Sequence, residues 1–424
     1  MIMSWSVTKD LITWHFPQQR VAASWYNLAT IFLPILLGYY VMAVLVQLPG
    51  TKLYRQALLP AVLWLTTTAG MALDFSSNRP EYAHLNQGLA LGMFMVAMRV
   101  ATWTLADKPY VKFCDADDQN GNVNKSESES SSSHVNDIYG SLWNALDLCC
   151  NLRGIGWNWS KGLHIARPMF KTESRPAFAA LSLLRFILYT TALSAVYLSV
   201  DTIDPDGSNG WSIFDSSLPP LQRYLRSSFI TAVTGFAAWM IFELTYQFHA
   251  FIFTLLFQQK PSQWPPISDQ PWFATSLAMF WSRSWQQAFR EWFMAIGSRP
   301  LEPYLGPYSP IGAFVLSGIF HEVGVRAMGR GGDALYIVGY FTMQGVGVVL
   351  ERLYKRLTGK RVGGVLGFLW MWSWQIVWGN FVVDAWVRRG MDPKMEFFAE
   401  PFHPVLFIMK ICRWTWETRT EAVI

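Results

Sequence analysis

The sequence predicts an all-α fold: a polytopic transmembrane bundle of eight or nine spans with one amphipathic helix at the membrane interface. Three observations lead there. Of the 424 residues, 52% are hydrophobic and only 15% charged, against about 25% charged in a soluble domain. The chain carries 22 Trp, a residue that concentrates where lipid meets water. Its apolar residues also fall into runs approaching the roughly 17–25 residues that a helix needs to cross a bilayer. Backbone exposed to lipid has to close its hydrogen bonds internally, so such runs are helical.

In chain order the runs are 31–48, 57–73, 88–105 (with Arg99 inside), 177–200 (Arg185), 228–248 (Glu243), 311–328 (Glu322 and Arg326), 334–350 and 362–383. A weaker run over 401–412 is the candidate ninth. Residues 1–106 are therefore expected to form the N-terminal transmembrane helices, 141–390 the core, and 391–424 a C-terminal helix and tail. Between the first two lies a loop, 107–140. Its stretch 115–137 is acidic and serine-rich, too polar to bury a core, and is expected to be disordered.

The loops carry an orientation signal. Arg352, Lys355, Arg356, Lys360 and Arg361 cluster in 351–361 against one acid, Glu351. Arg153, Lys161, Arg167, Lys171 and Arg175 precede the fourth run, whereas 201–220 holds Asp201, Asp204, Asp206 and Asp215 and no base. Basic loops stay in the cytosol, which places 49–56, 107–176, 249–310 and 351–361 there. Nine spans then leave the N-terminus lumenal and the C-terminus cytosolic. The sequons at Asn124 and Asn158 fall on the cytosolic side and are expected to stay unmodified.

Other classes are disfavoured. The net charge of +5 is spread over loops and shows no nucleic-acid motif, so no nucleic-acid partner is expected. Cys114, Cys149, Cys150 and Cys412 have neither CxxC spacing nor a His cluster, so neither a metal site nor a disulfide framework is expected. The first twenty residues lack a basic start followed by an apolar run, so no cleavable signal peptide is expected. No internal repeat is evident, which counts against transporters built from two matching halves.

His321 is the leading functional candidate. It lies in Phe314-Val-Leu-Ser-Gly-Ile-Phe-His-Glu-Val-Gly324, about ten residues and therefore about 15 Å into a run entered from the cytosol. Ser317, Gly318, Gly324 and Val325 share its helical face. Three of the four are very small, so the imidazole is expected to face a gap. Glu322 points elsewhere and is expected to pair with Arg326, its i+4 neighbour, as structural support. The plain alternative is a His that bonds to another helix, with glycines that only permit close packing. The cost of ionisable groups at this depth favours function.

A second stretch runs from Asp269 to Arg290. Trp281, Trp285, Phe289 and Trp292 recur at helical spacing, with Arg283, Gln286, Gln287 and Arg290 opposite. That pattern predicts the amphipathic interfacial helix. Spacing alone favours a lipid-headgroup anchor, although two Arg also suit phosphate binding. The third stretch, Arg153-Gly-Ile-Gly-Trp157, reads most simply as a turn.

Taken together and in this order, the three stretches resemble the membrane-bound O-acyltransferase superfamily in its wax-synthase-like branch, over roughly 140–385. The resemblance implies an enzyme that moves an acyl group from acyl-CoA onto an alcohol, with 141–390 as the acyltransferase core. It places the general base on His321 and the second polar catalytic position on Gln286, where the family often has Asn or His. Gln keeps an N–H donor for a thioester oxygen but is one methylene longer. Arg283 and Arg290 are then candidates for the coenzyme A phosphates, and Trp281, Trp285, Ser317 and Gly318 for substrate contact. Acetyl-CoA is expected as co-substrate, with no bound cofactor and no metal. The chain is also similar to fungal members that acetylate terpenoid and polyketide-derived metabolites, which implies a lipophilic alcohol acceptor, a bilayer setting and the endoplasmic reticulum. A long-chain wax-ester synthase, a transporter of an apolar metabolite and a non-catalytic scaffold remain the alternatives.

Overall fold

The computed structural model describes residues 20–77, 80–113, 138–160, 162–168, 172, 174–201 and 211–391. The acidic stretch 115–137, the run 401–412, the tail beyond it, Asn124, Cys114 and Cys412 lie outside the described residues. The fold is mostly helical. Each of the first eight apolar runs lies on a helix, with ends shifted by a few residues. They are α1 (Trp25–Leu45), α2 (Lys52–Ala72), α3 (Ala83–Leu105), α5 (Arg175–Asp201), α6 (Pro220–Leu256), α10 (Pro310–Ala327), α11 (Ala334–Thr358) and α12 (Gly364–Arg388). Among the described residues, α1, α3, α5, α6 and α11 are long and apolar enough to cross a membrane. α10 falls short because His321, Glu322 and Arg326 sit within its 18 residues. A short parallel ladder pairs Val21 with Leu73 and Ala22 with Asp74.

One helix was not expected. α4 (Ile138–Cys150) has 13 residues, too few to cross. Ser141, Ala145 and Leu148 are buried, while Tyr139, Leu142, Trp143 and Leu146 are exposed. Its exposed face is thus the aromatic and aliphatic one, the pattern of a helix resting in a lipid interface. Tyr40 Oη donates to Leu142 O at 2.9 Å and Tyr39 Oη to Cys149 O at 3.1 Å, which fastens α4 to α1.

Arg99, in the middle of α3, is fully buried, and its guanidinium bonds to backbone carbonyls. It donates to the carbonyls of Cys149 (2.8 Å), Asn151 (3.3 Å) and Leu148, which close the C-terminal end of α4. That end is the negative pole of the α4 dipole, where a cation is stabilised by up to about 2 kcal/mol when partly buried. The rings of Tyr39, Trp103 and Trp292 lie 5.0–5.6 Å from the guanidinium carbon and complete its shell.

The expected interfacial helix over the second motif is absent. Pro271 to Tyr308 forms a chain of short turns instead. These include α7 (Leu277–Met279), a π turn Phe280–Ser284, α8 (Arg290–Phe293), a second π turn Met294–Ser298 and α9 (Glu302–Leu305). The break has a local cause. Trp285 N–H reaches back five residues to Phe280 O, and Trp285 then adopts extended backbone with ψ 170°. The next two side chains replace the helical ladder: Gln287 Nε2 donates to Trp285 O at 2.9 Å, and Gln286 Oε1 accepts from Ala288 N–H at 2.8 Å. The aromatic and polar faces are therefore scattered. Trp292 enters the core at 2% exposure, Gln287 is buried and Arg283 is exposed.

Candidate functional site

Buried polar groups fix this broken segment in place. Glu351 of α11 accepts from Leu277 N–H (2.6 Å), Ala278 N–H (2.9 Å) and Trp370 Nε1–H (3.0 Å), which caps α7 with a carboxylate. Ser276 Oγ adds a bond from Met279 N–H at 3.0 Å. Upstream, Ser268 Oγ donates to Glu243 of α6 at 2.5 Å and accepts from Trp239 Nε1–H at 3.0 Å. Asp269 pairs with His164 at 2.7 Å.

The third motif is the other half of this clamp. Gly154 and Gly156 both have positive φ, +68° and +82°, which glycine adopts without strain. A side chain at Gly154 would collide with the Trp159 ring at 2.5 Å. The turn presents Arg153, which donates to Pro266 O (2.7 Å), Pro265 O (2.5 Å) and Tyr246 Oη (2.5 Å). Arg153 thus binds protein carbonyls in an ordinary turn, as the sequence suggested. Asn158 is engaged as well, donating to Pro109 O at 3.0 Å and accepting from Val111 N–H at 3.1 Å.

His321 projects from α10. Its Nδ1 lies 2.7 Å from Ser317 O, the carbonyl one turn earlier. A carbonyl only accepts, so Nδ1 carries the proton and Nε2 keeps a lone pair. The ring stacks on Phe341 with centroids 4.2 Å apart and an interplanar angle of 21°. Gly318 and Gly324 do not open a gap beside it, contrary to expectation. A Cβ on Gly318 would lie 2.8 Å from Val338 Cα of α11, and one on Gly324 would lie 2.8 Å from Leu91 of α3. Both glycines admit neighbouring helices. Glu322 pairs with Arg326 at 2.5 Å as the spacing predicts, and also accepts Asp333 N–H at 3.1 Å.

The open space lies elsewhere and comes in two parts. The larger cavity, about 450 Å³, is lined by His321 and is mostly apolar, with walls from α3, α6, α11 and α12. The smaller, about 210 Å³, contains Arg290 and Arg352 and no carboxylate among its lining residues. Both are bounded by Trp281, Trp285, Gln286, Phe293, Ser317 and Phe341, so this shared wall is where their contents would meet. Gln286 Oε1 is held by Ala288 N–H, and the amide keeps N–H donors to offer there.

Residues 264–343 match the sequence model of the membrane bound O-acyl transferase family. The chain resembles the membrane-bound O-acyltransferases. The match begins at the anchored segment, passes through Gln286 and His321, and ends inside α11. Among curated proteins, the chain is 27% identical over 178 residues to the acetyltransferase atnC of Arthrinium sp, covering 36% of this chain and 41% of the relative. It is 26% identical over 253 residues to the acetyltransferase ple2 of Rhodocybe pseudopiperita, covering 55% and 60%. A long-chain-alcohol O-fatty-acyltransferase of Simmondsia chinensis is 26% identical over 141 residues, covering 30% and 40%. The chain spans about half the length of these relatives.

Of the candidate site residues, His321, Gln286, Arg290, Trp281, Trp285 and Ser317 line the cavities, whereas Arg283 and Gly318 line neither. Sequence reasoning missed Arg352, counting it only as a cytosolic loop charge. α11 instead continues to Thr358, and Arg352 reaches the smaller cavity from inside the helix. No local motif marks it; its place just past the end of an apolar run was the available signal.

Proposed function

We propose that the protein is a membrane O-acyltransferase that moves an acetyl group from acetyl-CoA to a hydroxyl of a lipophilic metabolite such as a terpenoid. The carrying observation is the pair of cavities that share one wall, one apolar with an imidazole nitrogen in its lining and one with two guanidinium groups. The acceptor occupies the larger cavity from the lipid side. Acetyl-CoA enters the smaller from the cytosol, and its thioester reaches the shared wall. His321 Nε2 takes the hydroxyl proton as the oxygen attacks the thioester carbon. Gln286 N–H donates to the developing oxyanion. Collapse releases the CoA thiolate, which recovers the proton from His321. No cofactor beyond the co-substrate takes part.

The acetyl assignment rests on the two relatives named acetyltransferases. The Simmondsia relative keeps a long-chain fatty acyl donor as the second reading. On the reading that all eight apolar runs cross the bilayer, His321 lies near its midplane, in the endoplasmic reticulum. Incubating membranes with radiolabelled acetyl-CoA and a panel of terpenoid alcohols should yield labelled ester and free CoA in equal amounts. Accumulation of an alcohol inside vesicles without CoA release would make the protein a transporter.

The two guanidinium groups in the smaller cavity give a sharper expectation. Arg290→Ala and Arg352→Ala should each raise KM for acetyl-CoA about tenfold, as expected for loss of a charge-assisted contact. KM for the alcohol should hold. Arg283→Ala, on the exposed side of the π turn, should leave both KM values unchanged. An Arg283 variant as impaired as the other two would move the coenzyme A site out of this cavity.

A further inference from the structure

Two donors in the larger cavity's lining have no protein partner. Among the described residues, the buried side-chain nitrogens and oxygens that lack a hydrogen bond include just two on cavity-lining residues: Gln375 Nε2 and Trp386 Nε1. Gln375 lies on α12 and is 8% exposed. Its Oε1 accepts from Tyr340 Oη at 3.0 Å, which orients the amide and leaves the NH2 end over. Trp386 lies about three turns further along α12, with its ring 6.3 Å from the His321 ring. A third polar residue of the lining, Thr231, is satisfied by its bond to Asn380 Oδ1 at 2.8 Å. Two lining residues therefore carry N–H groups to spare, each set just behind a wall that is otherwise aromatic and aliphatic.

Buried donors without acceptors are disfavoured, and the natural complement of a surplus N–H is an oxygen brought by the ligand. We propose that Gln375 and Trp386 recognise oxygen atoms of the acceptor other than the hydroxyl that is acylated. The substrate class is then a compact lipophilic alcohol with at least one further carbonyl, ether or hydroxyl oxygen, not a plain alkyl-chain alcohol. This rests on the acyltransferase reading above and narrows its acceptor. Both nitrogens are shielded from water in the described form. The terminal amide torsion of Gln is soft, so a modest rotation on binding turns the Gln375 NH2 toward a ligand. A site that hydrogen-bonds a substrate oxygen rejects the analogue lacking it, whereas an apolar wall separates such analogues poorly.

The test uses matched pairs: steroid-sized hydroxyketones with the ketone at several ring positions, and the same alcohols without the ketone. Binding to the purified full-length protein is followed by tryptophan fluorescence, and acetyl transfer is followed in parallel. The wild type should bind the best hydroxyketone about tenfold more tightly than its mono-alcohol. Gln375→Leu, similar in volume, should bring that ratio close to one; Trp386→Phe should narrow it in part. The wild-type ratio needs no variant to fold. Equal wild-type affinity across every pair, or a preference that both variants retain, overturns the proposal. Selective binding without any transfer would support it while overturning the transferase reading; transfer without selectivity would do the reverse.

Discussion

His321→Ala is expected to abolish acyl transfer, with a loss of at least about 10²–10⁴-fold, the usual contribution of a general base. The protein should still fold and insert. The reason is the position of one proton. Ser317 O holds Nδ1–H, so Nε2 keeps its lone pair, and His321 lines the cavity assigned to the alcohol. The same ring stacks on Phe341, so alanine also removes a packing partner. His321→Phe separates the two roles: it keeps an aromatic ring over Phe341 but has no nitrogen, and should be as inactive as alanine. Turnover is measured in matched membranes with radiolabelled acetyl-CoA, with insertion checked by detergent extraction and gel filtration. Substantial transfer by either variant would remove the base from His321.

The second large effect is expected at Glu351. Its carboxylate satisfies three donors: two backbone N–H groups at the start of α7 and the indole of Trp370. Alanine leaves all three without an acceptor, at about 1–3 kcal/mol for each buried group. The segment Leu277–Ser284 then loses its cap, and the wall formed by Trp281, Trp285 and Gln286 shifts with it. Glu351→Ala should lower the melting temperature in detergent by several degrees and also abolish transfer. Glu351→Gln keeps one acceptor oxygen and should fall between the two. An alanine variant that melts and turns over like wild type would show that the broken segment is held by packing alone.

Hydropathy made the helices legible because a span announces itself by length and by the absence of charge. His321 was legible for the complementary reason, as an ionisable residue where few occur. The course of 271–308 was not. Its aromatic spacing is helical, but Gln286 and Gln287 turn back onto their own backbone, a choice between two hydrogen-bonding schemes that composition does not encode. Gly318 and Gly324 show the same limit: a missing side chain suits an empty space or a close neighbour equally well, and the neighbours, Val338 and Leu91, lie on other helices. Glu351 and Arg352 read as loop charges because the apolar run ends at 350, although α11 continues past them. Spacing put Gln286 on a polar face, but a catalytic place for it came only through the family resemblance, and the pairing of Gln375 with Tyr340 only through the packing of α12 on α11.

Arg99 bears on how the chain is made. Its carbonyl partners lie about fifty residues downstream, and Trp292 is further still. When the third span leaves the ribosome, none of these groups exists, and a lone guanidinium in hydrocarbon is costly. Arg99 therefore gains these partners only once α4 has been made and docks. Assembly of the N-terminal half is in this sense a checkpoint written into one side chain.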